Sequence, residues 1–246
     1  AGDRGGDPLP RLPRGSDHAP ALSGSNPADL PRRVVQTFIA PATLFRHFGG
    51  AAPWIGPLLI SVAVAALVVV LAPTESFVAM LDGATDRRGN PVTLTSSAEE
   101  IARTGRVYGM VVTLVRQTLA AFVAAGILTV LFSTLLRGEG RFRQYLAITT
   151  HVLLITALGS LVALALAGAL GAELTGVTPA LLLPSPDPQN VVHRVLGGVD
   201  IFTLWALAVA GLGVSVVSPG RSWSSAAGIL VGAYLLLAIG LGVAGA

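Results

Sequence analysis

The chain has 246 residues, of which 52% are hydrophobic and only 12% are charged. About a quarter of the residues in a soluble domain are charged, so this composition excludes an ordinary water-soluble protein and indicates lipid as the main solvent. The formal net charge is +3, and the basic residues, which are all arginines, alternate with acids and form no stripe that would bind nucleic acid. The absence of cysteine excludes disulfides, thiolate metal sites and cysteine nucleophiles.

The N-terminal part of the chain has two predicted segments. Residues 1–30 are rich in Gly, Pro, Asp, Arg and Ser and predict a disordered cytoplasmic tail. Residues 31–48 predict a basic amphipathic helix on the inner membrane surface, with Val34, Val35, Phe38 and Ile39 on one helical face. A simple linker before the first membrane span is the alternative interpretation of residues 31–48.

Apolar runs predict an all-α, polytopic membrane protein, a bundle of five transmembrane helices. The run from Leu146 to Leu170 contains no Asp, Glu, Lys or Arg, and its 25 residues would reach about 37 Å, enough to cross a hydrocarbon core of about 30 Å. Similar runs and the prolines that flank them predict spans at residues 54–72, 111–136, 144–170, 201–217 and 226–243.

The arginine distribution predicts the orientation of these spans. Arginines precede the first span, occupy the turn 137–143 between the second and third spans, and occur in the turn 219–221 between the fourth and fifth. The remaining loops are balanced or acidic. Because cytoplasmic loops carry an excess of arginine, the N-terminus is predicted to be cytoplasmic and the C-terminus exterior. We expect a multi-pass protein of the cell membrane, and attribute the lack of lysine to a GC-rich bacterial genome.

Three ionisable residues are candidate structural or functional groups in the membrane. Arg116 and Asp200 are predicted at similar depth near the outer ends of spans two and four, where they could form an ion pair. His151 lies in span three, within predicted reach of Thr129, Ser133 or Thr134 of span two. A helix-packing role and a substrate or proton site are both open for these residues.

The spans contain no motif of the known intramembrane enzymes. Gly159-Ser160 lacks the Gly-x-Ser-Gly of rhomboid-like proteases, and Gly197-Gly198-Val199-Asp200 lacks the spacing and the second acid of aspartyl intramembrane proteases. We therefore expect no catalytic residues, no metal site and no cofactor. Small residues predict close helix packing at four positions, namely Gly159, Gly211, Gly228 and Gly232.

Several local patterns resemble bacterial Yip1-domain proteins. They are Phe38-Ile39-Ala40-Pro41, Pro53-Trp54-Ile55-Gly56-Pro57, the stretch 140–145 that leads into span three, and Gly198-Val199-Asp200-Ile201-Phe202-Thr203-Leu204-Trp205. The resemblance covers roughly residues 35–245. It implies a five-span bundle with a cytoplasmic N-terminus and no established catalytic residues. Eukaryotic relatives act in vesicle traffic and bind small Rab-type GTPases and one another.

Three functions remain open at the level of the sequence. The first is a non-enzymatic membrane scaffold or interaction protein, whose partners would be the lipid bilayer and other membrane proteins or copies of itself. The second is a permease for a small solute or ion that uses Arg116, Asp200 and His151. The third is an accessory subunit of a larger membrane complex.

Overall fold

The structure is a computed structural model that describes residues 29–48, 52–79, 81, 97–170, 174, 176–184, 187 and 189–245. The tail predicted at residues 1–30 lies outside these residues except for its last two positions. The described part of the chain is all-α. Its α-helices, numbered in chain order, are α1 Leu30–Ile39, α2 Pro41–Arg46, α3 Ile55–Leu71, α4 Thr74–Ala79, α5 Ala98–Leu128, α6 Phe142–Leu170, α7 Val191–Gly197, α8 Ile201–Val217 and α9 Trp223–Ala244.

Helix α6 is the central helix of the bundle. It packs against α3, α5 and α8 and also against α1, while α9 packs on the other side of α8. Four fully buried side chains of α6, Tyr145, Ile148, His151 and Ile155, contribute to the core. The long apolar helices alternate in direction. Two turns, residues 136–141 and 218–222, therefore meet at one end of the bundle, which we call the hairpin end; there the Arg221 guanidinium donates to the Leu136 carbonyl at 3.3 Å.

By length and hydropathy, the described part of the chain supports three or four membrane spans, and the predicted five are not confirmed. Three helices of the described chain are long and apolar enough to cross a membrane, Ala98–Leu135, Phe142–Leu170 and Trp223–Ala244. Val191–Gly197 and Ile201–Val217, bent by 50° from each other, would together form a fourth. Ile55–Leu71 is apolar but has only 17 residues, the lower limit for a span. Three or four spans are therefore supported, and five are not established.

The segment predicted as one interfacial helix at residues 31–48 forms two helices, because the chain bends between Ala40 and Pro41. Leu44 and Phe45 of α2 are only 1% exposed and pack in the core of the bundle. The face of α1 that is buried is the polar one, with Arg33 and Thr37. Val35 and Ile39, predicted on the apolar face, are 53% and 76% exposed.

Helix α5 begins at Ala98, well before the predicted second span at residues 111–136 and within the stretch predicted to connect the first two spans. Ser97 caps its first turn by accepting the Glu100 amide at 3.3 Å, in the Ser-x-x-Glu arrangement of a capping box. Arg106, about two turns further in, donates to the Ala72 carbonyl just beyond α3 at 3.1 Å and lies over the Phe77 ring at 5.2 Å. Arg106 thus joins the end of α3 to α4 and α5. The helix continues to Leu135 with wider π turns over Thr129–Leu135.

Two of the four glycines predicted to pack helices lie at close helix contacts. A methyl group added at Gly159 would lie 2.6 Å from Cβ of Phe202, and one added at Gly211 would lie 2.5 Å from Cα of Ala227. These glycines permit the α6–α8 and α8–α9 contacts. A methyl group at Gly228 or Gly232 would meet nothing within 4 Å, so these two do not pack against another helix of the described chain. Their face of α9 points away from α8.

Candidate functional site

Asp200, a candidate substrate residue from the sequence, joins three elements at the end of the bundle opposite the hairpin end. Its Oδ1 accepts the Thr203 amide at 2.7 Å, which caps α8, and the Thr203 hydroxyl at 2.9 Å. Its Oδ2 accepts the amide of Val177 at 2.9 Å. Both carboxylate oxygens therefore have hydrogen bonds to groups of the protein itself.

The backbone next to Asp200 is bonded to α9. The Asp200 amide donates to the Tyr234 hydroxyl at 2.9 Å, and this hydroxyl donates to the Gly198 carbonyl at 2.9 Å. A third bond joins the Ile201 amide to the Val177 carbonyl at 3.0 Å. These contacts hold the bend between α7 and α8 against α9, and they indicate a structural role for Asp200.

The ion pair predicted between Arg116 and Asp200 is not formed. Arg116 is an exposed residue of α5, and it makes no hydrogen bond or ion pair with any residue that the structure describes. Helix α5 packs on α3, α4 and α6, whereas Asp200 begins α8, which packs on α6, α9 and α2. The two side chains extend from different parts of the bundle, although the sequence predicts similar depth.

His151 is fully buried, and its neighbours differ from those predicted. Its Nδ1 donates to the Ala147 carbonyl of the same helix at 2.7 Å, and its ring lies 5.0 Å from the Phe48 ring. Its Nε2 has no hydrogen-bond partner among the described residues. Thr129 and Ser133, two of the predicted partners, bond instead to the Ala125 and Gly140 carbonyls. His151, Arg116 and Asp200 are thus three separate features.

A buried hydroxyl cluster that the sequence did not reveal joins the two turns of the hairpin end. The Tyr145 hydroxyl lies 3.1 Å from the Ser133 hydroxyl and 3.1 Å from the Ser218 hydroxyl. Ser133 also donates to the Gly140 carbonyl. Gly140 is required at its position because any Cβ would overlap the Tyr145 hydroxyl. The only sequence signal was a tyrosine beside a glycine-containing turn, and the serines lie far apart in the chain.

A groove of about 660 Å³ opens beside this cluster. Its charged lining consists of Arg46 at the end of α2, Glu139 and Arg141 of the turn, and Arg143 of α6. Phe45, Phe48 and Val217 line it too, and these three residues are buried. We call this feature the arginine groove. It combines apolar and cationic groups, and we treat it as the candidate functional site.

Hydrogen bonds of Gln144 connect the segments that line the arginine groove. The Gln144 side-chain amide donates to the Phe48 carbonyl at 3.0 Å, and its oxygen accepts the Arg141 amide at 2.9 Å. Gln144 thereby connects α2 to the first turn of α6, across the groove. Over the residues that the structure describes, no group of three or more His, Asp or Glu side chains could hold a metal ion. The groups that line the groove are mainly cationic and apolar side chains.

Comparison with known proteins identifies the family. The family model of the Yip1 domain matches residues 35–245 of the 246-residue chain. Comparisons with curated proteins and with solved structures gave no match. The matched region includes every helix from α2 to α9 and all of the arginine groove. Because the match extends over nearly the whole chain, the protein belongs to the Yip1 domain family.

Proposed function

We propose that this protein is a non-enzymatic integral membrane scaffold or interaction protein of the Yip1-domain type, which acts by binding other membrane proteins or further copies of itself. One observation carries the proposal: the three polar residues that could have formed a transport site do not meet. The Asp200 carboxylate accepts hydrogen bonds from the amides of Val177 and Thr203. Arg116 is exposed, and His151 hydrogen-bonds within α6. The Yip1 domain family, a family of membrane proteins without known catalysis, supports the same proposal.

The outer face of α9 supports a role in helix association. Gly228 and Gly232 have open space where a side chain would be, and Leu236, one helical turn further along, is 72% exposed. Glycines four residues apart let the backbones of two membrane helices approach closely, and such contacts are stabilised by packing. A helix of another membrane protein or of a second copy could therefore pack on this face.

We also propose that the hairpin end lies on the cytoplasmic side of the cell membrane, with the C-terminus on the exterior side. The two arginine-containing turns meet at this end, so one orientation satisfies the charge bias of both. Reporter domains fused after Gly138 and after Ala246 are expected to report opposite sides of the membrane. The same side for both fusions would contradict the proposed topology.

Site-specific photo-crosslinking in intact cells tests the interaction role. A photoreactive amino acid at Leu236 is expected to give a discrete protein adduct, and mass spectrometry would identify the partner or a second copy. The matched control is Leu119 of α5, which is 60% exposed and lies on a different face of the bundle. Lipid adducts alone at both positions, together with solute flux into proteoliposomes that contain the wild-type protein, would refute the interaction role and support a permease.

A further inference from the structure

We propose that the arginine groove binds the phosphate headgroup of an anionic phospholipid. This inference does not depend on the interaction role proposed above, because it concerns a separate surface and a different kind of ligand. It is based on the charge of the groove, on its position in the bundle and on its apolar base.

The cations of the groove are available for a ligand. Arg46, Arg141 and Arg143 are exposed, and none of them forms an ion pair with a residue that the structure describes. Glu139 is the single acidic side chain of the lining, so the lining is net positive. The guanidinium group presents donors in a planar fork that matches phosphate oxygens. Helix α6 also begins at this groove, so the positive end of its dipole faces the same space.

The groove lies where a lipid headgroup would lie. It is placed at the beginning of α6, a helix long and apolar enough to span the bilayer, and beside the end of α8. Trp54 immediately precedes α3 and Trp223 is the first residue of α9, and both helices begin at the same end of the bundle. Phe142 is 42% exposed at the start of α6. Aromatic residues at helix ends mark the level of the membrane interface.

The base of the groove favours a lipid over an acidic peptide. Phe45, Phe48 and Val217 form apolar walls next to the cations. A phospholipid offers an anionic phosphate and an attached apolar chain in the same order. Basic pockets between membrane helices bind anionic headgroups by this combination. An acidic peptide could pair with the arginines, but it would offer no apolar chain to contact the apolar base.

Lipid retention measured by native mass spectrometry tests the proposal. The purified full chain is titrated with phosphatidylglycerol or phosphatidylcholine in detergent micelles. The double variant Arg141→Gln/Arg143→Gln removes two groove charges. The control Arg103→Gln/Arg116→Gln removes two exposed charges from α5, outside the groove. Wild type is expected to retain phosphatidylglycerol in preference to phosphatidylcholine. The groove variant should lose about five-fold in affinity per arginine, whereas the control should match wild type.

Two further measurements distinguish a lipid headgroup from free phosphate as the ligand. Both use the wild-type protein, so they do not depend on whether the variants fold. In the wild-type protein, photoactivatable phosphatidylglycerol should form adducts with residues of α2 or of the turn 136–141. Inorganic phosphate in millimolar excess should not displace the lipid. Equal lipid loss in both double variants, adducts confined to other helices, displacement by inorganic phosphate, or preferential capture of a polyglutamate peptide over phosphatidylglycerol would each overturn the assignment.

Discussion

Asp200 is expected to stabilise the fold, and Asp200→Ala measures by how much. The substitution removes the N-cap of α8, which is worth about 1 kcal/mol, and it leaves the Val177 amide without its charged acceptor, which costs about 1.5–3 kcal/mol. We therefore expect the free energy of unfolding to fall by roughly 2.5–4 kcal/mol. Asp200→Ser keeps a capping hydroxyl but is too short to reach Val177, so it should restore only the capping part.

Reversible unfolding by SDS in mixed micelles, followed by tryptophan fluorescence and far-UV circular dichroism, gives the required free energies. The matched control is Asp29→Ala. Asp29 precedes α1 as Asp200 precedes α8, but its side chain makes no capping hydrogen bond, so its removal should have little effect. A loss below about 0.5 kcal/mol for Asp200→Ala, within the range of ordinary surface substitutions, would refute the structural role that we assign.

A double-mutant cycle then examines the ion pair that the sequence suggested. Because Arg116 makes no ion pair in the described structure, the effects of Arg116→Gln and Asp200→Asn are expected to add. Independent sites add within about 0.5 kcal/mol, and residues in contact do not. A coupling energy above about 1 kcal/mol would show that the two side chains interact in the membrane and would contradict the structure.

Further substitutions test the packing of the bundle by the same unfolding measurement. Gly211→Val should destabilise the fold because its Cβ would lie 2.5 Å from the backbone of Ala227. Gly228→Val should not, because a Cβ at that position has open space. Equal effects of the two substitutions would contradict the α8–α9 contact. Tyr145→Phe should cost about 1–2 kcal/mol, because it leaves the buried Ser218 hydroxyl without its partner, whereas Ser133 keeps its bond to the Gly140 carbonyl. No change would argue against the hydroxyl cluster. His151→Leu should be neutral or stabilising, because Nε2 has no hydrogen-bond partner in the described part of the chain, whereas His151→Ala should destabilise the fold, because the buried ring fills space. A Leu variant as unstable as the Ala variant would show that Nε2 is hydrogen-bonded.

The positions of the apolar helices were predictable from the sequence because the hydrocarbon interior imposes a strong and continuous signal. The predicted segment 201–217 matches α8, and the predicted segment 144–170 begins two residues after the first residue of α6. The start of α5 was not predictable in the same way. Its first turns carry Glu99, Arg103 and Arg106, which hydropathy assigns to a loop although the helix continues through them. Hydropathy therefore locates lipid contact, and it does not locate the ends of helices that extend beyond the lipid.

The orientation of α1 shows a second limit of sequence patterns. The amphipathic pattern predicts that Val35 and Ile39 lie on the face turned to the inner membrane surface, with the arginines elsewhere on the helix. In the structure Arg33 and Thr37 face the bundle, and the Thr37 hydroxyl donates to the Arg33 carbonyl at 2.9 Å. Where lipid is the solvent, apolar side chains lose nothing by facing outward, and polar groups gain by contacts inside. The same periodicity is compatible with either face of α1 turned towards the bundle, so the sequence pattern alone does not determine which face is buried.

The candidate site required the structure for a related reason. The arginines of the groove come from two separate segments, the end of α2 and the stretch 139–143, which the sequence places almost a hundred residues apart. In the sequence these arginines indicated orientation, because arginine bias reports the side of the membrane. The Gln144–Phe48 hydrogen bond joins the two segments. Arginines that are distant in the sequence therefore line one groove with an apolar base. The orientation and the lipid binding that we propose would both depend on these arginines. The phosphatidylglycerol titration and the topology fusions therefore measure two independent consequences of one set of arginines.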